Sequence, residues 1–171
     1  MMLREIQQHD LAGVETLRTI RNACRATMTR DPREISREQQ AKWWAEMHRH
    51  DPAHTRWRPF LAVERDQAIG FGVVWRGEHV TPRLPSNEAK EAWWLTGGLL
   101  AEHRGNGYGR ALFLALIGQV EAPCWLEVRL DNTPARLLYE ALGFRVVHVD
   151  DDIATMRLGK APRDALWRKT L

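Results

Sequence analysis

Residues 104 to 110 read Arg104-Gly105-Asn106-Gly107-Tyr108-Gly109-Arg110. The run lies between an apolar stretch, Trp93 to Leu100, and a helical stretch from about Gly107 to Val120. A strand that passes through alternating glycines into a helix has few uses. Glycine lacks a Cβ, so the backbone can turn several N–H groups toward one point and let a ligand approach closely. The helix that begins there adds the positive end of its dipole. Together these groups suit a diphosphate. A Walker loop ends in Gly-Lys-Ser/Thr, and this run does not. A dinucleotide loop requires Gly-x-Gly-x-x-Gly, and Arg110 stands where its third glycine belongs. Glu127 lies at about the spacing of a ribose-binding carboxylate, so a dinucleotide-dependent oxidoreductase stays open as an alternative.

Periodicity and turn chemistry divide the rest of the chain. Leu3 to Gln7 reads as a short strand. Asp10 is a helix N-cap, followed by Leu11, Val14, Leu17 and Ile20 at helical spacing. Asp31-Pro32 breaks that pattern. Ser36-x-x-Gln39 has the form of a capping box and predicts a second helix, through about His50. Phe60 to Val63 and Ile69 to Trp75 form a hairpin across Arg65-Asp66-Gln67. Residues 77 to 91, with Pro82, Pro85 and Asn87, form a long loop. Within the following strand, Gly97-Gly98 is costly unless a bulge or a close-lying backbone requires it. Trp125 to Leu130 is a strand. Asn132-Thr133-Pro134 starts a helix that ends at Gly143. Phe144 to Val149 and Ile153 to Leu158 are the last strands. The expected class is α/β, a mixed central sheet with the order β-α-α-β-β-β-α-β-α-β-β in one domain, residues 1–171, with a basic tail from 159.

Arg104-x-x-Gly107-x-Gly109 resembles the Arg/Gln-x-x-Gly-x-Gly/Ala signature of the GNAT superfamily of N-acetyltransferases. Leu99-Leu100-Ala101-Glu102-His103 resembles the end of that family's fourth strand. Asn132, 28 residues past Arg104, opens the run Asn132-Thr-Pro-Ala-Arg-Leu-Leu-Tyr139-Glu-Ala-Leu-Gly143-Phe144, which is similar to the family's second motif. The resemblance is specific over residues 92 to 149 and architectural before that.

That resemblance implies acetyl-CoA as co-substrate and direct attack by a primary amine in a ternary complex. It places the cofactor diphosphate on Arg104, Gly105, Asn106, Gly107, Tyr108, Gly109 and Arg110. The pantetheine amides would pair with the strand at Gly97-Gly98-Leu99, and a backbone N–H near Leu99 would face the acyl oxygen. Asn132 would bond the pantetheine arm, although an N-cap is its ordinary role. Tyr139 occupies the family's general-acid position and would protonate the departing thiolate; as a residue of an amphipathic helix, it also suits packing. Glu91, at the start of the fourth strand, is the candidate general base beside a solvated-loop reading. A water chain is the other route for the proton. A non-catalytic acyl-CoA-binding protein remains the alternative within the same fold.

Composition bounds the partners. The net charge of +3 is mild, which argues against an obligate nucleic-acid partner. No apolar run is long enough to cross a bilayer. The opening residues turn polar at once, from which a cytoplasmic location is expected. Cys24 and Cys124 are expected as buried free thiols. Arg18, Arg21 and Arg25 recur at helical spacing beside Asn22. Since the helix 1–2 region lines the acceptor side in the family, Arg21, Asn22 and Arg25 are candidates for binding an anionic amine such as a nucleotide-linked amino sugar; a solvated charged face is the plain alternative. A peptide amine is a further acceptor class. His48, His50 and His54 lack an acidic partner in fixed geometry, so no metal is expected. A homodimer is left open.

Overall fold

Three helices begin where a side chain caps them, and a fourth begins at a glycine. Asp10 Oδ1 accepts the Gly13 N–H at 2.8 Å and starts α1 (Leu11–Ala23). Ser36 and Gln39 exchange reciprocal bonds, at 3.1 Å and 2.9 Å, and start α2 (Arg37–His50). Gly107 caps α3 (Tyr108–Ile117), and Asn132 caps α4 (Thr133–Ala141). The strands are β1 (Met2–Glu5), β2 (Trp57–Glu64), β3 (Gln67–Arg76), β4 (Trp93–Leu99), β5 (Cys124–Arg129), β6 (Arg145–Asp150) and β7 (Ile153–Leu158). Short 3₁₀ turns cover Arg25–Thr27 and Ala101–His103. The computed structural model describes residues 1–29, 33–53, 55–76, 92–121 and 123–159. The Asp31-Pro32 break, His54, the loop 77–91 with Glu91, and the tail 160–171 lie outside the described residues.

The strands form one sheet in the order β1-β2-β3-β4-β5-β7-β6. All neighbours are antiparallel except β4 and β5. Arg65 and Asp66 both take left-handed φ, 48° and 63°, which matches the two-residue turn to the twist of β2 and β3. Strand alternation divides the core into two layers. Phe60 and Ala62 of β2 pack with Leu112, Phe113 and Leu116 of α3 and with Tyr139 of α4. Leu61 of the same strand packs with Val14, Leu17 and Ile20 of α1 and Trp44 of α2. Gly72 lets α3 settle on β3, because a Cβ there would stand 2.7 Å from a Leu116 methyl.

Leu11 departs from its expected place in the core: it is 74% exposed. Apolar residues spaced by three drift by about 60° per step around a helix of 3.6 residues per turn. Val14, Leu17 and Ile20 span the buried arc, and Leu11 falls off its edge. His48 is a packing residue. It is buried between Trp44 and Trp57, with ring centroids at 4.6 Å and 6.4 Å, and its Nδ1 lies 2.8 Å from the Trp44 carbonyl oxygen. Asp51 fixes the entry to β2. Burial alone would raise its carboxyl, but bonds from the Arg56, Thr55 and Trp57 N–H groups and the Thr55 hydroxyl hold it below the ordinary value.

Candidate functional site

The sheet opens at its centre. β4 and β5 pair only at Trp93↔Cys124 and Trp94↔Trp125. Beyond those positions each keeps its outer partner: Leu95 to Leu99 stay on β3, and Leu126 to Arg129 stay on β7. The two inner edges therefore separate. At the joined end the strands are held by a row of rings. Trp94 stacks between Trp75 at 6.4 Å and Trp125 at 5.8 Å, and the Arg157 guanidinium lies over Trp125. A strand edge without a strand partner offers backbone donors and acceptors to an extended ligand that carries amides.

The wedge leads to the glycine run. Leu100 N donates to Ile69 O at 3.0 Å, and the 3₁₀ turn Ala101–His103 redirects the chain. Gly105 and Gly107 adopt φ of +78° and +81°, and no heavy atom of the described residues lies within 4 Å of where a Cβ would stand on either. Gly107 precedes α3 without a side-chain acceptor, so among the described residues the first N–H groups of α3 have neither an intrahelical partner nor a side-chain cap. An open, left-handed, two-glycine turn at a ten-residue helix is the geometry a diphosphate requires. Gly109 serves differently. It is helical, and its Cβ position lies 3.3 Å from a Leu138 methyl, so its small size packs α3 against α4. Asn106 is exposed and donates to Arg104 O at 3.3 Å. Tyr108 and Arg110 are half-buried in the first turn of α3, with the Tyr108 ring against His103.

Arg104 turns back to the strand. Its Nε donates to the Leu99 carbonyl at 3.0 Å, and the Cys24 thiol reaches the same oxygen at 3.3 Å. Burial raises the Cys24 thiol, against the lowering effect of Arg104. The C-terminal end of α1, the end of β4 and the cradle thus meet on one carbonyl. The contact gives Gly98 a second reason to be glycine. A Cβ there would stand 3.0 Å from Cys24 Sγ, and one on Gly97 would stand 2.8 Å from Phe71 O. No sequence pattern pointed to Cys24, because its partner is 75 residues away.

On the other wall, Asn132 Oδ1 accepts the Ala135 N–H at 3.4 Å, the N-cap role. Tyr139 is 7% exposed, with its ring 4.7 Å from Phe113 and 6.0 Å from Phe144. Burial pushes its phenol above the ordinary range. The proton therefore stays on at neutral pH, as a donor requires, while transfer to a thiolate of pKa near ~8.5 runs uphill. Under the alternative dinucleotide reading, the spacing offers Glu127 as a ribose ligand. Here it sits on β5 where β4 has parted. Leu126 and Val128 face the α3–α4 core, so Glu127 projects to the α1–α2 face. Strand parity was the signal that would have found it.

The acceptor-side candidates are spread over a connection. Asn22 is buried, and its amide both donates to Ile35 O and accepts from Ile35 N, each at 2.9 Å. Arg21 donates to Arg33 O and Arg18 to Ile35 O. These groups tie α1 to the start of α2. Arg25 lies beyond the end of α1, in the 3₁₀ turn; it is exposed and donates to Asn22 O at 3.1 Å. The cationic helix face is therefore largely turned to backbone carbonyls. Cys24 and Cys124 are buried and free. Glu91 lies outside the described residues. No helix among the described residues is long and apolar enough to cross a membrane.

Comparison with known proteins agrees with this geometry. The model of the GNAT acetyltransferase family matches residues 15–144. The ribosomal protein bS18-alanine N-acetyltransferase of Escherichia coli strain K12 is 30% identical over 91 residues, which cover 51% of this chain and 62% of that protein. The chain thus spans less than two thirds of that relative's length. A protein from Salmonella typhimurium, solved with its cofactor acetyl-CoA, superposes with a TM-score of 0.68 at 17% identity, covering 94% of each chain. An apo nucleotide-linked sugar GNAT superposes with a TM-score of 0.72 at 15% identity, covering 98% of this chain and 90% of that one.

Proposed function

Because this chain belongs to the GNAT acetyltransferase family, we propose that it transfers an acetyl group from acetyl-CoA to a primary amine by direct attack in a ternary complex. One observation carries the reading: β4 and β5 separate after two paired positions, and the gap leads to an open two-glycine turn at an uncapped helix N-terminus. The extended pantetheine chain suits the inner edge of β4 near Leu99, which no strand among the described residues covers. The diphosphate suits the backbone of Arg104 to Arg110. Asn132 lies at the head of α4 on the opposite wall. When bound, acetyl-CoA supplies an activated acyl carbon and a thiolate leaving group.

The chain's own groups then have distinct tasks. The amine arrives protonated and must lose a proton before it attacks. Glu127, on the α1–α2 side of the gap, is assigned to receive it, with Glu91 the second carboxylate in this role. A backbone N–H near Leu99, held in place by the Arg104 and Cys24 bonds, would stabilise charge on the acyl oxygen. Tyr139 would return a proton to sulfur as the C–S bond breaks. The acetyl group moves from sulfur to nitrogen; the second proton on that nitrogen leaves as the adduct collapses and is returned through water to Tyr139, so the one proton released per turnover is the one that Glu127 received before attack.

The acceptor approaches from the α1–α2 face. Arg25, exposed in the turn that follows Cys24, and Arg21 with Asn22, which shape the α1–α2 connection, are assigned to that side. A peptide amine is the acceptor class favoured by the 30% identical relative, whose name gives a ribosomal-protein alanine as its substrate. A nucleotide-linked sugar has less support, because Arg18 and Arg21 spend guanidinium donors on backbone carbonyls.

Release of free thiol from acetyl-CoA, measured across a panel of peptide N-termini, polyamines and amino sugars, tests the reading. Turnover on one class with saturation in both substrates is expected. Binding of acetyl-CoA without turnover on any amine would leave a non-catalytic acyl-CoA-binding protein. Stabilisation by NAD and none by acetyl-CoA would leave the dinucleotide reading.

A further inference from the structure

Two buried tryptophans differ in one bond. Trp44 is 7% exposed, and its indole N–H donates to the Gln8 carbonyl at 3.1 Å. Trp125 is 4% exposed, and its Nε1 has no hydrogen-bond acceptor among the described residues. A buried indole N–H ordinarily finds an acceptor, because an unpaired buried donor is costly. The ring itself is well held. Trp94 of β4 stacks on it at 5.8 Å, and the Arg157 guanidinium of β7 lies over it at 5.6 Å. Packing accounts for the ring and leaves its one polar atom unexplained.

Trp125 is the last β5 residue paired with β4, so its ring stands at the apex of the wedge. Side chains alternate along a strand, so Trp125 and Glu127 leave β5 on the same face. That is the face on which α1 and α2 pack and from which the acceptor is assigned to approach. Opposite Glu127 stands Thr155 of β7, itself buried, so this wall carries polar groups where a core would carry apolar ones. Trp125 and Glu127 leave the strand about 6.6 Å apart. A ligand that gives an amine to the carboxylate and an oxygen to the indole N–H must hold those two atoms close together. The first residue of a peptide does so, because only the N–Cα, Cα–C and C=O bonds separate its amine nitrogen from its carbonyl oxygen. A polyamine is protonated at neutral pH and has no acceptor to offer. A lysine side chain holds its amine far from any carbonyl. An amino sugar offers a hydroxyl, a poorer acceptor than an amide carbonyl. Resting on the acetyl-transfer reading with Glu127 as base, we propose that Trp125 determines acceptor specificity. Its indole N–H donates to the carbonyl oxygen of the acceptor's first residue and so selects the α-amine of a peptide N-terminus.

Thiol release from acetyl-CoA is measured with an alanine-initiated peptide and with its alkene isostere, in which a carbon–carbon double bond replaces the first peptide bond and removes the oxygen. The wild type should use the isostere about 10–100-fold less well in kcat/KM. Trp125→Phe should lose the same factor on the peptide and nothing further on the isostere, since either change alone removes the bond. Replacement of Trp125 by 3-benzothienylalanine puts sulfur in place of the N–H and keeps both rings; it should match Trp125→Phe, and it serves if the smaller ring unsettles the stack. Calorimetric titration should give unchanged acetyl-CoA affinity in both variants. A folded variant within about threefold of wild type on the peptide overturns the proposal. So does an isostere used as well as the peptide, a pair of losses that multiply in combination, or a preference for a polyamine, an amino sugar or a lysine side chain. Acetyl-CoA binding with no thiol release on any amine removes the acetyl-transfer reading as well, whereas release without discrimination removes only the role of Trp125.

Discussion

Gly107→Ala separates backbone strain from ligand contact. Gly107 holds φ at +81°, and no atom of the described residues stands within 4 Å of the Cβ position. The new methyl therefore meets none of them. Its cost to the free protein is conformational, about 1–2 kcal/mol for a left-handed residue with a side chain. That strain is the same with and without ligand, so it cancels from the affinity. The methyl does occupy the open side of the turn, where the diphosphate is assigned. Acetyl-CoA affinity is expected to fall at least about 100-fold, or about 2.7 kcal/mol. The loss has a second reading in stability. Ligand at a hundred times its dissociation constant stabilises the wild type by about 2.7 kcal/mol, and the variant should gain almost nothing at that concentration. Urea unfolding gives the strain, and calorimetric titration gives the affinity. Gly118→Ala, at the far end of α3 from the cradle, is the control: its Cβ meets the Ala115 carbonyl oxygen at 3.3 Å, so it should move stability slightly and affinity little. A Gly107→Ala protein that binds acetyl-CoA within about threefold of wild type would refute the placement of the diphosphate.

Tyr139→Phe keeps the ring against Phe113 and Phe144 and removes the hydroxyl. Turnover should fall about 10²–10⁴-fold at nearly constant acetyl-CoA affinity, and near-normal turnover would make Tyr139 a packing residue. Glu127→Gln should lower turnover about 10²-fold or more near neutral pH, with partial recovery as rising pH deprotonates the amine itself; an unchanged pH–rate profile would exclude Glu127 as the base. Burial raises the Cys124 thiol to about 12. Its folded pKa exceeds its unfolded one, so full stability holds below about pH 8.5 and is lost, at about 1.4 kcal/mol per pH unit, as pH rises toward 12. Urea unfolding at pH 8 and 10.5 should show that loss shrink in Cys124→Ala, and an equal loss in both proteins would contradict it. Arg21→Ala with Arg25→Ala should raise the Michaelis constant for the acceptor and not for acetyl-CoA; unchanged acceptor kinetics would return both arginines to a structural role.

The sequence alone determined what neighbouring residues decide among themselves. Ser36 and Gln39 start α2 because a hydroxyl and an amide three residues apart satisfy each other's backbone N–H. Arg65-Asp66 turns the hairpin, and Gly105 and Gly107 open the cradle, because φ near +50° to +80° is a local steric matter. Asn132 begins α4 for the same kind of reason. The tertiary structure decided which distant groups meet. No local preference states that β4 leaves β5 after two pairs, or that β7 lies between β5 and β6. None states that the Cys24 thiol finds the Leu99 carbonyl, that Asn22 is claimed by Ile35, or that Arg21 turns to Arg33. Those outcomes depend on how two helix pairs pack onto opposite faces of one sheet. Packing couples side chains far apart in the chain, and a bond to a carbonyl is read only after the carbonyl has been brought within reach.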